Sequence, residues 1–280
     1  ASNPMNLMAL DPDTGFFKMK SKLFNPSSIL MKGFSTGGGG NAVVCYNDDN
    51  MITSIELYDY YESLIKDKSK NKMIYLKGST LEEKIKSAFS RMEKRYPDLG
   101  RELKNRALAV YSRIDQYMLT SDEAILTPVY DMNVSFYPNK NNKDQKCPIV
   151  RFAVNDPSAI DGQNEFFFVK DLFYNELTSP NTRAGIIMHE VLYEHARKNG
   201  AKNSEFVRWF NYLISTKKFE TMGADDFKRL ESHPDAKFLL GPSMDKAGVF
   251  IEEANEAYLD FSIRDDVLFL EEYNIQTKKN

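Results

Sequence analysis

Residues 182–200 read TRAGIIMHEVLYEHARKNG, one helical stretch with a His-Glu pair at its centre. Pro180 suits the first turn of a helix and Ser179 the cap before it. Arg197 and Lys198 favour the last turn, and Gly200 the left-handed stop. Ile186, Ile187 and Met188 precede the pair, and Val191 and Leu192 follow it, so the helix is expected to be at least half buried. The pattern approaches H-E-x-x-H, which offers one zinc ion two imidazoles at i and i+4, about 40° apart in projection. Its fifth position is Tyr193. His195, at i+6 from His189, lies about 120° around the helix, so those two rings cannot chelate one ion without unwinding.

The rest of the chain supplies an ordinary core. Its 280 residues are 42% hydrophobic and 12% aromatic, enough to bury one large domain or two. Lys and Arg number 37 against 40 acids, leaving no excess of positive charge to hold a phosphate backbone, so nucleic acid is not an expected partner. No apolar run approaches the roughly 18 residues a membrane helix needs, so no transmembrane segment is expected. The first residues, ASNPMNLMAL, lack an initiator methionine and a basic region, which fits a mature exported chain or a shortened one. Cys45 and Cys147 are the only cysteines, and their spacing leaves a disulfide and two buried thiols equally open.

Three prolines and no clear period mark residues 1–34 as an irregular N-terminal arm. Asp11, Asp13 and Gly15 sit as in a calcium loop, but Phe16 and Lys22 occupy the places of its glycine and its bidentate glutamate, so a turn is expected. Gly37, Gly38, Gly39 and Gly40 precede a strand, AVVCYN, whereas a phosphate loop follows a strand and opens a helix. The run therefore predicts tight backbone approach. NDDN at 47–50 predicts a turn, with 51–55 returning as a strand or opening a helix over 54–66. Residues 81–92 and 99–119 predict a helical hairpin broken at Tyr96 and Pro97. ILTPVY, NVSFYP, IVRFAV and EFFFVKDLF are short β-rich segments separated by turn residues, and residues 204–216 form a second helix facing inward through Phe206, Val207, Phe210, Leu213 and Ile214. The fold class is α+β: an antiparallel sheet or hairpins, packed by a helical hairpin and a central buried helix pair. The core spans 35–216, and a helical extension over 217–280 packs on it.

GGGGNAVVCYNDDNMITSIELYDYYE, KCPIVRFAV and TRAGIIMHEVLYEHARKNGAKNSEFVRWFNYLIS carry a resemblance. Over about residues 35–216 they resemble an uncharacterised family of exported proteins from predatory bacteria. That family has a GGN-apolar-VC start, an ELLDYYE-like helix, an HE-apolar-LY helix and an NS-x-x-R helix. The resemblance implies export to the periplasm or beyond after removal of a signal, and with it a Cys45–Cys147 disulfide. It implies that tyrosine after HE-x-x is the normal form. It implies no activity.

Two chemical readings remain. In the first, His189, Glu190 and Tyr193 form a hydrogen-bonded network inside the core, with His189 held by a backbone carbonyl or by Tyr193, and no cofactor is needed. The chain is then a non-catalytic module that binds a protein or an envelope component. In the second, the helix resembles a degenerate zincin helix: His189 ligates zinc, Glu190 polarises water, and Tyr193, His233 or Glu256 completes the shell. NEAYLD at 255–260 resembles the helix that gives thermolysin-like peptidases a third ligand, which would make Glu256 that ligand and Asp260 its orienting partner. A solvated acidic face explains the same residues. No G-x-S-x-G elbow appears, and no histidine lies near Cys45 in sequence, so a serine or cysteine nucleophile is not indicated.

Overall fold

The computed structural model describes residues 8–10, 17–19, 40–47, 51–66, 73–119, 136–139, 146–155, 166–241, 259–264 and 267–272. Strand β1 (Met8–Leu10) pairs antiparallel with β2 (Phe17–Met19), so the stretch read as irregular contains a short hairpin. Strand β3 (Asn41–Tyr46) pairs antiparallel with the next strand, β4 (Ile52–Leu57), and helix α1 (Tyr58–Lys66) follows β4 at once. The helix expected from residue 54 therefore starts four residues later. Ile55 and Leu57 fit a helical stripe with Tyr58 and Tyr61, but they also alternate as a strand, and pairing with β3 decides between the two.

Helices α2 (Leu81–Arg95) and α3 (Pro97–Ser112) form the expected hairpin. Thr80 and Glu83 make a reciprocal capping box at its start, and Pro97 opens the second helix. The second helix ends earlier than its apolar spacing predicts. A 3-10 turn (Ile114–Tyr117) and β5 (Met118–Leu119) take over, because Met118 and Leu119 pair in parallel with Phe168 and Val169. Strands β6 (Phe136–Pro138), β7 (Lys146–Arg151), β8 (Ala153–Asn155) and β9 (Phe166–Val169) come next, then the helical turn α4 (Lys170–Phe173). Four strands join antiparallel in the order β4, β3, β7, β6, and three in the order β5, β9, β8. Phe152 links the two sheets. Its N–H and that of Ala153 both bond the Gly40 carbonyl at 2.9 Å, and its own carbonyl accepts from Val169 at 3.0 Å.

Helix α5 (Pro180–Lys198) has the ends its sequence announced. Ser179 Oγ accepts from the Thr182 N–H at 3.1 Å, and Gly200, at φ 103°, stops the helix. Helix α6 (Glu205–Ile214) buries the five apolar residues read from it, with Trp209 half-buried against Phe206. Helices α7 (Lys218–Thr221), α8 (Ala224–Glu231) and α9 (Ala236–Leu240) add Phe219, Leu230, Ala236 and Leu239 to the same core, so residues beyond 216 share it. The extension is not helical throughout, because β10 (Leu259–Arg264) pairs antiparallel with β11 (Val267–Glu272). LDFSIR alternates apolar and polar residues, which suits a strand.

The sheet built on β3 is apolar on both faces. Ala42, Val44 and Tyr46 join the main core around α5, which also touches α2, α3, α6 and α9. Val43 and Cys45 join Cys147, Ile149, Tyr58 and Tyr61 in a second cluster. Val43 lies opposite Ile149, so two residues further along the pair Cys45 faces Cys147. The disulfide joins them there with Cα atoms 4.4 Å apart.

Candidate functional site

Helix α5 is buried from Thr182 to Ala196 apart from Arg183 and His195, so its polar residues must find partners inside the protein. His189 and Glu190, adjacent in sequence and about 100° apart around the axis, are both 0% exposed. Asp59, in the first turn of α1, and Asn211, in the middle of α6, are 0% exposed as well. His189 Nδ1 lies 2.8 Å from Asp59 Oδ2. A carboxylate only accepts, so Nδ1 carries the proton. Asn211 Nδ2 donates to the same Asp59 oxygen at 2.7 Å and to the Gly185 carbonyl at 3.0 Å. One carboxylate thereby ties α1, α5 and α6 together. At the end of α6, Tyr60 and Ser215 bond through their hydroxyls at 2.8 Å.

Glu190 faces the sheets. Its Oε1 accepts from the Gly40 N–H at 2.5 Å, and the Gly40 carbonyl in turn takes the N–H groups of Phe152 and Ala153. A Cβ at residue 40 would stand 2.0 Å from Ile186 Cδ1 and 2.8 Å from Glu190 Oε1, so only glycine allows this approach. The expected close backbone approach of the glycine run is thus found at Gly40, against α5.

Burial pulls the His189 pKa down, but the adjacent Asp59 carboxylate, helped by Glu190, outweighs it and leaves the imidazole above its ordinary value. Burial pushes Glu190 up, and His189, the Gly40 N–H and Arg151 offset only part of that rise. Arg208 faces the same region, stacked at 5.0 Å on Tyr58, and opposes the charge on His189. His189 Nε2, Asp59 Oδ1, Glu190 Oε2 and Asn211 Oδ1 have no hydrogen-bond partner among the described residues.

The residues singled out from sequence are only partly brought together. His189 and Glu190 join a polar network, but Asp59 holds His189, in place of the expected backbone carbonyl or Tyr193. Tyr193 is 4% exposed, with its ring centroid 6.3 Å from that of His189. His233 does not reach the cluster. It packs on Phe206 at 4.9 Å, accepts from the Asp235 N–H at 3.1 Å, and is pushed down to about 4 by burial. Phe206 lies five residues before Asn211, about 7.5 Å along α6. Glu256 lies outside the described residues. Asp260 falls in β10, so the helix proposed to carry both does not run through it. Among the described residues, no three His, Cys, Asp or Glu side chains are grouped to hold a metal ion. No described helix is long and apolar enough to cross a membrane.

Asp59, Asn211 and Gly40 escaped the sequence reading as partners. Asp59 sits among the apolar residues of ELYDYYE, and Asn211 completes an i, i+4, i+7 stripe with Val207 and Ile214. A polar residue in a core stripe is the signal both carried. Comparison of the chain with protein-family models, curated proteins and solved structures gave no match.

Proposed function

We propose that the chain is an exported protein with a non-catalytic role, which binds a protein or envelope component through its surface. The observation that carries this reading is the state of the His-Glu pair. Both side chains are 0% exposed and committed to the fold, one to Asp59 and one to Gly40. A reaction centre needs access for substrate; these groups instead fasten α5 to α1, α6 and both sheets. The Cys45–Cys147 disulfide is compatible with an oxidising compartment, and it agrees with the resemblance to exported proteins.

A divergent zincin-like hydrolase is the second reading, and one feature favours it. A zinc-ligating histidine commonly donates its other ring N–H to a carboxylate, as His189 does to Asp59, and His189 Nε2 and Glu190 Oε2 are unbonded. Elemental mass spectrometry of the native chain beside a His189→Ala variant separates the two. The expected result is no stoichiometric zinc in either. Stoichiometric zinc that the variant loses, with chelator-sensitive hydrolysis, would overturn the binding reading.

A further inference from the structure

Glu83, Lys86, Ser87, Ser90, Arg91 and Lys94 follow one another at helical spacing along α2. They line a cleft of about 440 Å³, a volume in the range of small-ligand sites, completed by Lys77 and Gly78 before the helix and Glu220 of α7. Four cations thus face two carboxylates, on a chain whose net charge is -3.

Both carboxylates are already engaged. Glu83 Oε2 accepts from the N–H groups of Ser79 and Thr80 at 2.8 and 3.0 Å. Those bonds hold its carboxyl down to about 2. Glu220 Oε1 lies 3.3 Å from Arg91 Nε and 3.9 Å from Lys94 Nζ. Arg91 is 2% exposed and fixed, donating also to the carbonyls of Ile214 and Tyr75. The Tyr75 ring gathers further positive charge, with Lys217 at 4.2 Å, Arg91 at 5.5 Å and Lys77 at 5.7 Å.

Several donors in the cleft are left over. Ser87 Oγ accepts from the Lys77 N–H at 3.0 Å and keeps its own hydrogen to give. Among the described residues the Ser90 hydroxyl, on the exposed face of α2, makes no side-chain hydrogen bond, and Lys77 Nζ meets only the Tyr75 ring. Lys86 pairs with Glu82, but both are half exposed, and such a pair holds its ammonium only weakly.

We propose that this cleft binds a compact oxyanion of the phosphate class, with the ammoniums of Lys77, Lys86 and Lys94 and the hydroxyls of Ser87 and Ser90 turned toward it. Charge-assisted bonds to a multiply charged oxyanion match a donor set rich in cations and short of acceptors. The proposal deepens the partner-binding reading and rests on it.

Titration calorimetry of the full chain with inorganic pyrophosphate at low ionic strength is the test, beside two variants. Lys86→Glu/Lys94→Glu reverses two exposed charges, and Ser90→Asp places a carboxylate in the cleft without breaking an ion pair. The expected result is saturable binding that weakens with added salt and falls about tenfold or more in both variants. Flotation with phosphatidylcholine vesicles, with and without phosphatidic acid, distinguishes the sources. Vesicle binding lost in both variants assigns a lipid-borne phosphate; binding to pyrophosphate alone assigns a soluble one. No saturable binding in either assay, or binding equal in the variants, overturns the proposal. Stoichiometric zinc and hydrolysis would instead sink the non-catalytic reading and leave the cleft's affinity as measured.

Discussion

Replacing Asp59 with alanine is expected to cost the fold about 3–5 kcal/mol in urea unfolding, the range for removing one partner of a buried ion pair. The whole stability of a domain is about 5–15 kcal/mol, so the loss should be plain in the midpoint. Two N–H groups lose their acceptor at once, that of His189 Nδ1 and one of the two on Asn211 Nδ2, whose other stays on the Gly185 carbonyl, and neither can turn to water because both residues are 0% exposed. The cost should depend on pH with a definite sign. Asp59 raises the His189 pKa, so the pair's contribution is full below the ordinary value of 6.5 and fades as pH rises through the raised folded value. The gap between wild type and Asp59→Ala should therefore be widest below that value and narrow above it. A gap independent of pH would mean that His189 is not charged by Asp59.

The second large effect is expected from the disulfide. Replacing Cys45 and Cys147 together with alanine should cost about 4–5 kcal/mol in the chain-entropy account, because the bridge spans 102 residues and restrains the unfolded chain accordingly. Alanine avoids adding hydroxyls to a site where the two residues are 2% and 0% exposed. The bridge also fastens β3 to β7 on the face away from α5, between Tyr58, Tyr61 and Ile149. Urea midpoints of the variant and the native chain under non-reducing conditions, which keep the native bridge closed in the unfolded chain, check this, and equal midpoints would assign the bridge no part in stability.

The α+β class and helix α5 were legible in the sequence because their signals are local. Ser179, Pro180 and Gly200 mark the ends of α5, and the apolar residues between them recur at its period. Where two local periods overlap, the reading fails: Ile55 and Leu57 serve a strand and a helix equally well until β3 supplies the partner. Met118 and Leu119 were misread for the same reason, since β9 lies about fifty positions further along. The polar cluster was legible by half. His189 and Glu190 stood out as charge in an apolar helix, but their partners are 130 and 150 residues away, and Asn211 meets Asp59 across 152. No periodicity reports such distances. The metal reading took His233 by residue type and Glu256 from the NEAYLD pattern, and the fold sets His233 on Phe206 instead.

The central claim is that the His-Glu helix is fastened to the fold through Asp59, and a double-mutant cycle tests it most directly. Unfolding free energies would be measured for the native chain, Asp59→Ala, His189→Ala and the double variant. A coupled buried pair predicts that the double variant loses less than the sum of the single losses, by about 0.5–3 kcal/mol. Losses that simply add would contradict the account, since His189 and Asp59 would then stabilise the protein independently of each other.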